Sequence, residues 1–373
     1  MSITQKIRNQ LPQAISAIRA AQEALKKPGI SPFDVRTIQL IPNQDTTAKS
    51  LAKIIINRMV NFPKMAESAE ELVEGLKKVE KGYGTVAAFT LGALIAAGIT
   101  NSKELVQNAI KLDLLFDIIK SRVPSLWYLS DKGKIGKIRE ELWKLAPYRF
   151  AGFDIGDNFQ LDKILDKYLQ APQMPIGDCV SLTLIDNLIF MKYGFAMGVR
   201  AYFNHVCSTT KGLTFDNTIN NFSEAVRLHA EAQVKATNLN YLGFIALLYN
   251  CRGNYLSYQG KMEEAQKAYD MAVNLLPDHA TIYNNRANHK CLTKDYAGAE
   301  ADYQRSIDLE QNPYFYIGRA VMYLEKGETE KAVQDIKKAY ELDPKNPDYQ
   351  ELFTRLGLAQ LHAGIIPRLI VTP

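Results

Sequence analysis

Apolar side chains recur at helical spacing through the first part of the chain, and Ile7, Leu11, Ile15, Ile18 and Leu25 fall on one face of the first such run. The same period predicts helices near 45–61, 66–81, 85–99 and 102–121, separated by the breakers "NFPK", "KGYG" and "GITNS". Residues 1–150 therefore read as an N-terminal helical region, expected to pack on, cover or regulate the domains C-terminal to it. One run breaks the amphipathic pattern. Gly82 to Ser102 carries no charged residue and is nearly long enough to cross a bilayer. Its glycines and threonines lower its apolar content, so a buried core helix is the expected reading and membrane anchoring the rival one.

Around Asp157 the texture changes. A helix ending near "LDKYLQAPQMP" leads through two prolines to "PIGDCVSLTLIDNLIFMKYGF". Asp178 is a favourable N-cap and Gly194 a favourable stop, so Cys179 becomes the first residue of an apolar helix. The segments "AMGVRAYF" and "HVCSTTKGLTFDNT" then alternate as strands do, and Lys211-Gly212 reads as the two-residue turn of a hairpin. That turn pairs residue 210 with 213 and 207 with 216. His205, Cys207 and Asp216 then share one face, while Val206, Leu213 and Phe215 point toward a core.

From about 240 the chain repeats itself. In "YNCRGNYLSYQGKMEEAQKAYDMAVNLLP", "YNNRANHKCLTKDYAGAEADYQRSIDLE" and "YIGRAVMYLEKGETEKAVQDIKKAYELDP", Ala265, Ala299 and Ala332 occupy one column, 34 and 33 residues apart. Gly253, Ala287 and Ala320 are small where two helices must touch; Tyr269, Tyr303 and Ile336 fill the opposite gap. The pattern resembles the tetratricopeptide repeat over about 245–345. That resemblance implies helical hairpins stacked into an α-solenoid whose concave face binds a protein or peptide partner. Of the flanking stretches, "SEAVRLHAEAQVKATNLNYLGFIALL" reads as a degenerate repeat or a cap helix and "LFTRLGLAQLHAGIIPRLIVTP" as a terminal cap helix. Tyr249, Arg252, Arg286 and Arg319 are the candidate peptide-binding residues. The arginines recur in one column, so they either present charge to an acidic peptide or form ion pairs from repeat to repeat.

Composition narrows the function classes. Of 373 residues, 47% are hydrophobic and 23% charged, with a net charge of +5 that forms no basic block. A folded chain is expected, and nucleic acid is not an expected partner. The cysteines at 179, 207, 251 and 291 form no CxxC pair and the five histidines no HxxxH pair. Neither a zinc site, another cofactor nor a disulfide framework is expected, and a reducing cytoplasm is the expected location.

Cys179 carries the candidate chemistry. At the start of a helix, the macrodipole and free backbone N–H groups favour a thiolate and can receive an oxyanion. His205 supplies a base, and Asp216 a carboxylate able to orient it. "GDCVSLT", the helix to "KYGF", "AMGVRAYF", "NHV" and "TFDNT" resemble the transglutaminase-like core in its short, SirB1-related bacterial form. The resemblance covers about 155–222 and implies a small α+β, papain-like fold. It makes Cys179 the nucleophile, His205 the general base and acid, and Asp216 the orienting residue.

The chain as a whole is thus expected to be mostly α. It would comprise a helical region (1–150), a papain-like or transglutaminase-like core (151–222) and the repeats with their caps (223–373). The leading function is cysteine-dependent acyl transfer on a protein or peptide recruited by the repeats. The alternative is an inactive core fused to a repeat array that serves as a scaffold or adaptor.

Overall fold

The computed structural model describes residues 67–99, 102–123, 125–146, 178–203, 205–231 and 236–344, with isolated positions at 50, 65, 164 and 165. The helices expected before residue 62, the one ending near residue 170, and the terminal cap after 350 lie outside the described residues. The chain divides into two compact units, one through Tyr258 and one from Gln259.

The first unit opens with four helices, α1 (Ala69–Tyr83), α2 (Thr85–Ala96), α3 (Ser102–Arg122) and α4 (Asp131–Leu145). Ser68 and Ser130 cap α1 and α4, each accepting a backbone N–H from the first turn. The uncharged run forms α2, which is buried on every side from Ala87 to Ala96 and whose Phe89 packs on Tyr241 and Phe244. Its twelve residues are a core helix, and among the described residues no helix is long and apolar enough to cross a membrane.

Next come α5 (Cys179–Lys192), β1 (Gly198–Ala201), β2 (Val206–Thr210), β3 (Leu213–Phe215), α6 (Phe222–Glu231), β4 (Thr237–Leu239) and α7 (Tyr241–Tyr258). The strands form one antiparallel sheet in the order β3-β2-β1-β4. Thr210 pairs with Leu213, and Lys211 and Gly212 both adopt positive φ, the geometry of a two-residue hairpin turn. The apolar helix α5 lies against β2. Between them runs a buried polar network in which Ser208 Oγ donates to Asn187, Asn217 Nδ2 donates to Ser208 and Thr183, and Asn187 Nδ2 donates to the Gly198 carbonyl. Residues 223–245, expected as a cap before the repeats, instead supply most of α6, the fourth strand and the start of α7, all in the first unit.

The second unit holds α8 (Met262–Leu275), α9 (Ala280–Leu292), α10 (Tyr296–Leu309), α11 (Pro313–Glu325) and α12 (Thr329–Leu342). The small and large columns meet as helical hairpins require. Ala265, Ala299 and Ala332 are fully buried, and a Cβ on Gly318 would come within 2.8 Å of the Tyr303 ring. His289 is buried against Tyr269, their ring centroids 5.4 Å apart.

Candidate active site

Asp178 builds the start of α5. Its side chain accepts the Ser181 N–H at 2.8 Å, while Ser181 Oγ accepts the Asp178 N–H at 3.1 Å, a reciprocal capping box. Burial pushes the Asp178 carboxyl up, against the bonds it accepts from Ser181 and Val180. Cys179 follows as the first helical residue, 7% exposed.

The chain turns between Tyr202 and His205, where the Tyr202 N–H meets the His205 carbonyl at 2.8 Å, and His205 enters the site immediately before β2. Its Nε2 lies 2.7 Å from Asp216 Oδ2. The other Asp216 oxygen accepts the Thr218 N–H and hydroxyl at 2.7 and 2.6 Å, so both oxygens are held. The Cys207 thiol lies with the His205 ring and Asp216 in a cluster whose ligand atoms are within 4.8 Å of one another, and the Cys179 thiol is near enough to act on the charge of that ring. Burial works against charge on that ring, but Asp216, Cys179 and Cys207 outweigh it and hold its pKa well above the ordinary imidazole value. Cys179, His205 and Asp216, drawn from a helix start, a turn and the end of a strand, thus meet at one place. Cys207, fully buried, joins them.

Two features of the surroundings are not apparent from the local motif. Arg139 of α4, 1% exposed, reaches the loop that carries Asp216. Its Nη2 donates to the Asp216 and Ile219 carbonyls and its Nη1 to the Asn220 carbonyl at 3.2 Å, while the guanidinium lies over Phe222 and Phe215. A charged residue inside the buried stripe Ile135, Ile138, Leu142 was the available signal. The second is Cys251 of α7, which lies near enough to feel the charges of Asp178 and Cys179. Burial, first, and those two groups push its thiol well above the ordinary range.

The candidate peptide-binding residues are occupied otherwise. Tyr249 is 2% exposed. Arg252 packs over Gly98, where an added Cβ would come within 3.1 Å of its Cζ. Arg286 donates twice to Asp302 of its own hairpin, at 2.8 and 2.7 Å, and once to Asp270 of the preceding helix at 2.8 Å. Arg319 repeats the pattern with Asp335 at 2.8 Å and Gln304 at 2.6 Å. Arg286 thus ion-pairs both within its hairpin and to the preceding helix, Arg319 ion-pairs within its own hairpin and reaches the preceding one through Gln304, and Tyr249 is buried.

Residues 252–314 and 293–347 match the tetratricopeptide repeat family. Mouse sperm-associated antigen 1 is 26% identical over 129 residues, covering 34% of this chain and 14% of that protein. Human protein unc-45 homolog B is 32% identical over 97 residues, or 25% of this chain and 10% of that protein. Among solved structures, the first repeat domain of Spaghetti (RPAP3) bound to the HSP90 peptide SRMEEVD is 26% identical. It covers 31% of this chain and 93% of that one, with a TM-score of 0.28. This chain spans only 14% and 10% of the two curated relatives' own length. The C-terminal part of the chain carries tetratricopeptide repeats.

Proposed function

We propose that this protein recruits a protein or peptide through its repeats and serves as a scaffold or adaptor. The repeat-family match over residues 252–347 carries the reading. Stacked hairpins leave one face of their first helices unused by packing, and such faces receive extended chains. Leu292 on α9 and Tyr314 on α11 are 64% and 50% exposed and suit apolar contact with a bound segment. A photo-crosslinking residue at 292 or 314 is expected to trap a defined partner, identified by mass spectrometry, more efficiently than one at exposed Lys337 of α12. Equal trapping at all three positions would sink this assignment.

A second reading rests on a different observation, the meeting of Cys179, His205 and Asp216, with His205 Nε2 bonded to Asp216. In this reading the core performs cysteine-dependent acyl transfer, in keeping with its resemblance to the transglutaminase-like family. Asp216 holds Nε2, so Nδ1 is the nitrogen that meets the thiol. The Cys179 thiolate attacks an amide carbonyl carbon, and the oxyanion is received by the backbone N–H of Cys179, because Asp178 already holds those of Val180 and Ser181. The C–N bond breaks, the amine leaves with a proton from imidazolium His205, and a thioester remains. Water or a second amine then attacks the thioester, His205 takes its proton, and Cys179 is released. The test is iodoacetamide alkylation of Cys179 against pH, read by mass spectrometry. Rapid reaction below about pH 7 that is lost in His205→Ala supports a thiolate–imidazolium pair. Ordinary thiol behaviour in both proteins removes the enzyme reading and leaves the adaptor.

A further inference from the structure

The turn between α3 and α4 serves neither the repeats nor the cysteine site. The Leu129 N–H donates to the Leu126 carbonyl at 3.1 Å, so Trp127 and Tyr128 occupy the two central positions of a β-turn. Such positions ordinarily hold glycine, proline, asparagine or aspartate. Here two aromatic rings stand edge to face, their centroids 5.8 Å apart, and they are 85% and 65% exposed. Folding gains nothing from holding an indole in water. Immediately after the turn, α4 opens on Asp131, Lys132 and Lys134. Lysines in a first turn oppose the helix dipole, so helix stability does not account for them. The tip of the β2–β3 hairpin adds Lys211, whose Nζ lies 2.7 Å from Asp131, and Lys134 Nζ lies 3.7 Å from the same carboxylate. Three cations thus gather round one anion next to the aromatic turn. We propose that this corner of the first unit docks on an anionic lipid bilayer, with Trp127 and Tyr128 entering the interface and Lys132, Lys134 and Lys211 meeting the headgroups.

The exposure of the rings and the sign of the charge beside them select this partner. A ring that projects so far enters its partner and does not receive one. Tryptophan and tyrosine settle at the headgroup level of a bilayer, where an apolar ring and a polar edge are both satisfied. Lysines beside them gain from the negative surface potential of anionic lipid. A fluid bilayer accepts such a projection anywhere on its surface, whereas a protein partner must offer a pocket of matching shape. Half-buried Leu126 and Leu129 hold the turn to the body of the unit, so only the two aromatic side chains need enter the lipid. The docking is peripheral: among the described residues no helix is long and apolar enough to cross a membrane.

The test sediments the full chain with vesicles of phosphatidylcholine alone and of phosphatidylcholine mixed two to one with phosphatidylserine. Binding should favour the anionic vesicles and weaken as salt is raised. Tryptophan emission should shift to the blue on binding, and Trp127→Phe, which leaves Trp143 as the one indole, should remove the shift. Lys132→Gln should weaken binding about fivefold. The double variant Trp127→Ser, Tyr128→Ser should weaken it by about tenfold or more. Circular dichroism confirms that each variant is folded; all these side chains are exposed, so none should unfold the unit. Equal affinity for the two kinds of vesicle overturns the proposal, as does full binding by the folded double serine variant. Sedimentation with neither vesicle also overturns it, and leaves the aromatic turn to a pocket on a protein partner.

Discussion

Replacing Arg139 by methionine isolates what the helical region contributes to the site. The guanidinium donates to three carbonyls of the loop after β3, those of Asp216, Ile219 and Asn220. A hydrogen bond from a charged donor contributes about 1.5–3 kcal/mol net. Asn220 is exposed, so its carbonyl recovers water when the donor is lost, whereas Asp216 is buried and its carbonyl does not. The cost therefore concentrates on Asp216 and, in part, on Ile219. The contact of the cation with Phe222 and Phe215 adds about 0.5–2 kcal/mol. Methionine recovers some packing, and the expected loss is about 3–4 kcal/mol, a large part of a typical stability of about 5–15 kcal/mol. Both tryptophans, Trp127 and Trp143, lie in the first unit, so fluorescence during urea unfolding reports that unit alone. At a slope of about 2–3 kcal/mol/M the midpoint should fall by roughly 1–2 M. Arg139→Lys keeps the charge but not the fork, and should fall between the two. Because the same loop positions Asp216, Cys179 alkylation should slow in Arg139→Met under native conditions. A loss below about 1 kcal/mol, with alkylation unchanged, would refute the assignment of Arg139 as the support of Asp216.

His279 and His289 are buried in the second unit, and burial depresses both imidazole pKa values. The unfolded chain then takes up protons first, so their contribution to stability is intact above the ordinary value near 6.5 and is lost as pH falls through the native values. Hydrogen exchange in α9, corrected for intrinsic rate, should quicken between about pH 7 and pH 5. His289→Phe should remove part of that slope, and an unaltered slope counts against the mechanism. Arg319→Met leaves Asp335, only 8% exposed, without its guanidinium, and should destabilise α11 and α12 by about 2–3 kcal/mol in the same assay. Lost partner binding at unchanged stability would instead make Arg319 a ligand contact. Gly98 has φ +95 and lies against Arg252, so Gly98→Ala should cost about 1–2 kcal/mol in the first unit's urea transition. A neutral result would show that the turn relaxes.

What could be read in advance depended on whether a feature had a period. The repeats announce themselves because small and large residues return every 34 or 33 positions. The hairpin register is legible because Lys211-Gly212 defines the turn and strand side chains alternate strictly. The pairing of Thr210 with Leu213 is the one the turn implies. Strand β4 offers neither signal. It is three residues long, Thr237 and Asn238 are exposed, and it joins the sheet only through a long-range pairing with β1. The arginine column was visible, but its partners become obvious only once each hairpin is closed, which brings Asp302 and Asp335 opposite Arg286 and Arg319. Arg139 and Cys251 reach the site from separate helices, and no local spacing encodes that approach.

Placing Cys179 beside His205 requires that helix α5 and strand β2 meet in one register, and the polar residues between them specify which. Ser208 bonds Asn187 on the helix, and Asn217 bonds both Ser208 and Thr183. These groups are buried, so leaving any of them unmade costs about 1–3 kcal/mol. A slip of β2 by one residue would turn Ser208 away from Asn187 and carry His205 and Cys207 to the wrong face. Apolar packing alone tolerates such shifts far better, because it has no direction. The network between helix and sheet therefore selects where the start of α5 meets the strand. For the same reason, Asn187→Leu should blunt Cys179 reactivity even where the fold survives.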